Sequence, residues 1–109
     1  MAANKRYFVL ANYSPKAIAG MVHAPSDREA AVRKLCKSVG AKFVSLDICR
    51  GAFDIVVVVE ADSYDKALGL KAAVVASGAV SELHLLEPID MTEALKHAGA
   101  AAKGYVPPG

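Results

Sequence analysis

Residues 43–60, FVSLDICRGAFDIVVVVE, decide the fold, because they contain two apolar strands joined by a tight turn at residues 50–52. The second strand holds five consecutive aliphatic residues, from Ile55 to Val59. Side chains alternate between the two faces of a strand, so this run is apolar on both faces. Such a strand belongs in the middle of a sheet that is covered on both sides. In a chain this small, we consider another copy of the protein as the source of the second cover.

Length and composition limit the class of protein. The 109 residues correspond to one domain, and a hydrophobic content of 54% with only 6% aromatic residues indicates an aliphatic core rich in alanine. A net charge of +2, with dispersed Lys and Arg, argues against a nucleic-acid partner. An apolar run long enough to span a membrane is absent from the sequence, so no membrane partner is expected. The sequence lacks a signal-peptide pattern and a CxxC pair, which favours a cytoplasmic protein.

The remaining elements follow from periodicity and capping residues. Residues 5–13 predict a strand that is apolar on both faces, and residues 15–24 predict one helical turn and a loop. A capping box at residues 26–29 opens a helix that Gly40 ends. The apolar stripe of this helix repeats at helical spacing and consists of Val32, Leu35, Cys36 and Val39.

Three strands and two further helices complete the pattern. The strands of the hairpin are expected at 42–50 and 53–60, and a fourth strand at 79–86. A second helix is capped by Asp62 or Ser63 and ends at Gly78, and its predicted inner stripe is Ala67, Leu68, Ala72 and Val75. A C-terminal helix is expected over residues 91–98 or slightly more, followed by a tail that is loose or docks only on a partner.

The order β-α-β-β-α-β predicts an α+β, ferredoxin-like sandwich, with two helices on one face of a four-stranded antiparallel sheet. Residues 1–88 form this domain, and residues 89–109 form the C-terminal helix and tail. The face without helices is expected to carry some of Tyr7, Val9, Phe43, Val57 and Leu86. A bare apolar patch of this kind indicates an interface, so we predict that two sheets pair face to face in a homodimer or higher oligomer.

Three stretches of the chain form a recognisable set: YFVLANYSPKAIAG, SDREAAVRKLCKSVGAKFVSLDICRGAFDIVVVVEADS and ASGAVSELHLL. Together they resemble the GYD domain family of small bacterial proteins, and the resemblance covers about residues 5–87. The resemblance implies a ferredoxin-like domain related in shape to dimeric α/β-barrel proteins. It implies no established activity.

The hairpin departs from the signature of that family at one position. The family has glycine, then tyrosine followed by aspartate, whereas this chain has Gly51, Phe53 and Asp54. Phenylalanine has no hydroxyl group, so a catalytic tyrosine is not expected here. Gly51 and Asp54 match the motif and have structural explanations, because glycine permits a positive φ and aspartate can accept hydrogen bonds from backbone amides.

Candidate site residues come from the polar positions of the edge strands. Glu82 and His84 are two residues apart on a strand and therefore share a face, which makes them the candidate catalytic residues. Tyr7, Asp47 and His84 are the candidate ligand-binding residues. Asp47 and Cys49 lie on the opposite edge strand, so they would meet Glu82 and His84 only across a dimer, or not at all. Ordinary hydrogen bonds at the rim of an interface explain the same residues, and no metal or cofactor is expected.

Two hypotheses about function remain. In the first, the protein is a homo-oligomeric module without catalysis, which binds a small ligand or only itself. In the second, it is a small cofactor-independent enzyme that uses a cavity on the open face of the sheet. The dimeric α/β-barrel proteins that the family resembles include monooxygenases and isomerases, and this second hypothesis rests on that analogy. The aliphatic run at residues 55–59 favours the module.

Overall fold

The computed structural model describes residues 4–109. The strands are β1 (Lys5–Tyr13), β2 (Lys42–Ile48), β3 (Ile55–Ala61) and β4 (Val80–Leu86). The helices are α1 (Pro15–His23), α2 (Arg28–Ser38), α3 (Tyr64–Ala76) and α4 (Thr92–Gly104). Along the chain the elements follow the order β1, α1, α2, β2, β3, α3, β4 and α4, which is the predicted order with α1 added.

The four strands form one antiparallel sheet in the order β2-β3-β1-β4. The two strands that are apolar on both faces, β1 and β3, therefore occupy the centre, as their sequences predict. Tyr7 pairs with Val59 across these strands and Val9 pairs with Val57. The buried core lies where these side chains meet α2 and α3, on one side of the sheet.

Helix α1 is longer than the single turn that the sequence predicts. It runs over nine residues, with Pro15 in its first turn and the Ser14 hydroxyl accepting a hydrogen bond from the amide of Ala17 at 3.1 Å. None of its residues is buried, and its nine residues are fewer than periodicity alone needs for a helix to be recognised in a sequence. The next helix, α2, is capped by Asp27 rather than by Ser26, and the amide of Ala30 donates to the Asp27 carboxylate at 3.0 Å.

Of the five strand residues from which the uncovered face was expected to draw its apolar side chains, four lie on the helix side. Tyr7 and Val57 are buried beneath the helices, Val9 packs with them, and Phe43 stacks under the Arg33 guanidinium of α2 at 4.2 Å. Only Leu86 lies on the uncovered face, where half of its surface is exposed. A strand that is apolar on both faces gives no periodic signal to distinguish the two, so the choice of face depends on the side to which the connections carry the helices.

The inner stripe of α3 also differs from the prediction. Ala67 and Leu70 are buried, whereas Leu68 is 42% exposed and Val75 is 49% exposed. The buried side of the helix is therefore rotated relative to the predicted stripe. Alanine and leucine occur all around this helix, so its sequence contains no clear amphipathic pattern from which the buried side could be read.

Helix α4 extends away from the rest of the molecule. It begins after Asp90, whose carboxylate accepts hydrogen bonds from the backbone amide of Thr92 at 2.9 Å and from its hydroxyl at 2.7 Å. It continues to Gly104, beyond the predicted end, and none of its residues is buried. The radius of gyration is consequently 18.0 Å, against about 13 Å for a compact domain of this length.

Candidate functional site

The side of the sheet opposite the helices, which we call the open face, has an apolar centre. Phe8 and Leu10 of β1 alternate with the buried Tyr7 and therefore point to this side. They pair with Val58 and Val56 of β3, respectively. We call Phe8, Leu10, Val56 and Val58 the central patch. All four side chains are partly exposed, because they cover one another but are covered by no other element among residues 4–109.

Asp47 and His84 lie at the two ends of one row across the open face. Asp47 on β2 is opposite Val56, which is opposite Leu10, which is opposite His84 on β4. Three interstrand spacings separate the two edge residues, a distance of about 14 Å. Within one copy they do not meet, as the predicted positions of their strands require.

Glu82 and His84 share the open face, as their spacing predicts. The Glu82 carboxylate lies 3.5 Å from Nε2 of His84, and both side chains are about half exposed. The same carboxylate oxygen accepts a hydrogen bond from the Asn12 side-chain amide at 3.3 Å. The ring of Phe53 meets the His84 ring edge-on, with centroids 5.4 Å apart. A carboxylate–imidazole contact this open to water contributes little to stability, and these contacts hold the imidazole at the rim of the face.

Tyr7 does not belong to this site, and its predicted place beside Asp47 and His84 was wrong. Only 1% of its surface is exposed, on the helix side of the sheet, where its ring lies 6.1 Å from that of Tyr64. Burial raises the pKa of the Tyr7 hydroxyl, and the negative charge of Glu87 raises it further. The structure therefore brings none of the three candidate ligand-binding residues into contact with another within one copy.

The family motif at the hairpin fastens the turn to β1. Gly51 has a φ of 143°, which other residues rarely adopt. The Asp54 carboxylate accepts a hydrogen bond from the backbone amide of Tyr13 at 3.0 Å. Phe53, in the place of the family's tyrosine, packs on His84. The structural interpretation of Gly51 and Asp54 agrees with these contacts, although the carboxylate binds an amide of the neighbouring strand rather than of the turn itself.

Asn12 is a site residue that the sequence analysis missed. Its side-chain amide donates to the carbonyl of Ala52 at 3.0 Å as well as to Glu82, and its side-chain oxygen accepts from the amide of Asp54. Asn12 thereby connects the hairpin to β4. In the sequence it is an ordinary polar residue near the end of a strand, and no short-range pattern marks this function.

The polar residues of the open face, as far as residues 4–109 show, do not gather into a metal centre. Within residues 4–109, no group of three or more His, Cys, Asp or Glu side chains could hold a metal ion. Cys49 is exposed near the hairpin, where its thiol lies 3.7 Å from the backbone oxygen of Asp47. Among the same residues, no helix is long and apolar enough to cross a membrane.

The architecture defines a class: an α+β domain with two helices on one face of an antiparallel sheet. Solved structures that share this fold include the following two. Ribosomal protein S6 of the 30S subunit from Thermotoga maritima aligns with 89% of this chain and 99% of its own, at a TM-score of 0.55 and 11% identity. The C-terminal domain of the MgtC protein from Mycobacterium tuberculosis aligns with 78% of this chain and 88% of its own, at a TM-score of 0.52 and 14% identity. At these identities the likeness concerns the fold alone.

The sequence itself identifies the family. A family model of the GYD domain matches residues 7–98, which include the whole sheet beyond its first two residues and the first half of α4. The chain therefore belongs to the GYD domain family. No protein of curated function matches the chain significantly.

Proposed function

We propose that this GYD domain is a self-assembling module in which two copies pair through their open faces. The observation that carries the proposal is the central patch, which lies in the middle of the sheet and which no element among residues 4–109 covers. Apolar side chains gathered on an uncovered face are typical of an interface. The other face of the same strands is covered by α2 and α3, so within residues 4–109 the second cover is what the sheet lacks.

The arrangement of charges on the open face suits a second copy of the chain. If the two-fold axis runs parallel to the strands, each row of one sheet faces the same row of the other with its ends exchanged. Asp47 then faces the partner's His84, and Val56 faces the partner's Leu10. Each copy supplies both members of this arrangement, as a symmetric interface requires. Opposite partial or full charges would meet at both edges, with apolar side chains between them.

The area of the open face indicates that α4 also takes part. Four strands of about seven residues cover roughly 440 Å² at ordinary strand spacings, about half of the 800 Å² that each partner buries in a stable interface. Ile89, Met91 and Leu95, at and before the start of α4, are all at least half exposed. We therefore propose that α4 of each copy lies against the other copy and supplies the remaining area.

An enzyme acting at the same face would need an enclosed polar cluster. Glu82 and His84 are half exposed. On the neighbouring strand β1, His84 lies beside the aliphatic Leu10, and Glu82 lies beside Asn12, its one described hydrogen-bond donor. General acid–base catalysis benefits from groups whose pKa is tuned by burial and by fixed partners. The apolar character of the central patch favours assembly over catalysis, and the enzyme hypothesis keeps only the fold analogy in its support.

Sedimentation velocity of the full chain and two valine variants tests the proposal. We expect the unmodified protein to sediment as a dimer or larger, and Val56→Lys to sediment as a monomer, because an unpaired charge in the interface costs several kcal/mol. Val75→Lys is the matched control, since Val75 lies on α3 and is already 49% exposed. Circular dichroism verifies that both variants are folded. An unmodified protein that is monomeric, or a Val56→Lys variant that remains dimeric, would refute pairing through the open face.

A further inference from the structure

A cavity of about 120 Å³ lies between the helices and the sheet, on the side away from the open face. Helix α2 packs mainly over β2, and α3 packs over β4 and β3, so a gap remains above the centre of the sheet. Val9 and Val57 belong to the floor of the gap, Val32 to the α2 wall and Leu70 to the α3 wall. Of the sixteen residues that line the cavity, thirteen are aliphatic, so its body suits an apolar molecule.

The three other lining residues are Tyr13, Arg28 and Lys71. Two of them are cationic and none of the described lining residues is acidic, so the polar part of the cavity favours an anion. The Tyr13 hydroxyl and Nε of Arg28 are both buried, and neither has a hydrogen-bond partner within residues 4–109. Arg28 uses another nitrogen, Nη1, to donate to the Ser26 hydroxyl at 3.2 Å. Two buried donors therefore remain unpaired beside an apolar cavity.

We propose that this cavity binds a small monocarboxylate with an apolar body, whose carboxylate meets Arg28 and Tyr13. Buried polar groups are normally paired, and those without a protein partner call for a ligand or water that pairs with them. A guanidinium N–H and a phenolic O–H are both suitable donors to a carboxylate, and arginine matches its planar geometry. An unpaired donor set of this kind discriminates strongly between a ligand that accepts hydrogen bonds and one that cannot.

The size of the cavity limits the ligand. It is slightly smaller than the cavity of about 150 Å³ in which an engineered protein holds benzene. A ring or chain of about six carbon atoms fits such a space, so benzoate and hexanoate are suitable probes. The site lies on the helix side of the sheet and includes none of the residues of the central patch. It therefore does not depend on the pairing of open faces.

The first experiment titrates the isotopically labelled full chain with benzoate and follows its valine and leucine methyl resonances by NMR. We expect saturable shifts at the floor of the cavity, with binding in the millimolar range or tighter. Benzamide has the same shape without the charge and should bind at least tenfold more weakly. Arg28→Gln should weaken benzoate binding at least tenfold. Arg33→Gln is the matched control on the same helix, because the Arg33 side chain is 57% exposed and lies over Phe43 outside the cavity.

A tyrosine variant separates a binding role from a purely structural one. Tyr13→Phe keeps the ring and removes the unpaired hydroxyl, so the ligand-free protein should melt at a higher temperature while benzoate binds several-fold more weakly. Tyr64→Phe, at a tyrosine outside the cavity, should change neither the affinity for benzoate nor the methyl shifts that benzoate causes. A structural role alone would move the melting temperature without moving the affinity.

Three results would overturn the site: no saturable shift with benzoate or hexanoate, equal affinity for benzamide, or equal affinity in Arg28→Gln and the unmodified protein. The first of these would mean that water alone pairs with the two donors. Sedimentation of the same samples reports the pairing of open faces independently. A protein that dimerises but does not bind benzoate refutes only the cavity site, and a monomer that binds benzoate refutes only the assembly.

Discussion

A hydrogen bond links Asn12 to the backbone amide of Asp54, and these two residues together join the hairpin to the central strand β1. The backbone amide of Asp54 donates to Oδ1 of Asn12 and to the carbonyl of Ala11, both at 3.0 Å. In return, Oδ2 of Asp54 accepts from the amide of Tyr13, the residue after Asn12, at 3.0 Å. The hairpin consequently has a fixed position relative to β1. This position sets Phe53 against His84 at the rim of the open face.

Replacing Asp54 by alanine should destabilise the protein. The substitution leaves the partly buried Tyr13 amide without its acceptor, which costs about 1–3 kcal/mol. Asp54→Asn keeps an acceptor oxygen and should lose less. Asp65→Ala, an exposed carboxylate in the first turn of α3, is the control and should cost less than about 1 kcal/mol. Urea denaturation measures the three unfolding free energies, and equal losses at Asp54 and Asp65 would contradict a structural function of the family motif.

The sequence allows part of this arrangement to be predicted. Gly51 and Asp54 stand between two apolar strands, where their turn chemistry is recognisable. Asn12 is far from the hairpin along the chain, and its contacts depend on the pairing of β1 with β3 and β4. The same limit applies to Tyr7 and Phe8: alternation shows that they lie on opposite faces, but only the packed helices show which face is buried.

The buried side of α3 offers a direct comparison between two leucines of one helix. Leu70 is 6% exposed in the core, and Leu68 is 42% exposed. We expect Leu70→Ala to cost about 2–5 kcal/mol of unfolding free energy, because it removes buried methyl groups and leaves a void. Leu68→Ala should cost less than about 1 kcal/mol. Helix propensity cancels in this comparison, and a larger loss at Leu68 would restore the stripe that the sequence predicts.

The two cysteines should differ in reactivity. Cys36 is 2% exposed on the buried stripe of α2, and burial raises the pKa of its thiol, whereas Cys49 is exposed. A thiol reagent should therefore modify one cysteine of the folded protein rapidly, and mass spectrometry should locate the label at Cys49. Rapid labelling of Cys36 in the folded protein would contradict its burial.

The same burial gives a dependence of stability on pH. The native state holds the Cys36 proton to a higher pH than the unfolded chain, whose thiol ionises near a pH of about 8.5. Above that pH the unfolded chain binds fewer protons, so the unfolding free energy should decrease as the pH rises. Cys36→Ala should reduce this decrease between pH of about 8 and about 9.5, a range that lies below the ionisation of an ordinary tyrosine. A decrease of the same size in Cys36→Ala would assign it to other groups.

Helix α4 should contribute to assembly and not to the stability of the domain. A chain that ends at Pro88 loses no buried residue, since every residue beyond it is exposed. In the Val56→Lys background, where assembly is absent, this truncation should change the unfolding free energy by less than about 0.5 kcal/mol. In the unmodified chain it should weaken dimerisation at least tenfold, as measured by sedimentation at several concentrations. Unchanged dimerisation would exclude α4 from the interface.

Charge reversal at Asp47 and His84 tests the direction of the two-fold axis. An axis parallel to the strands places Asp47 opposite the partner's His84, whereas a perpendicular axis places it near the partner's β2. With the parallel axis, Asp47→Lys and His84→Asp should each weaken the dimer, because each ends the pairing of an acidic with a basic side chain across the interface. The double variant restores opposite charges at both edges. Its loss of dimerisation free energy should therefore be smaller than the sum of the two single-variant losses by at least about 0.5 kcal/mol. Additive losses would show that Asp47 and His84 do not meet across the interface, and pairing through the open face would then require the perpendicular axis.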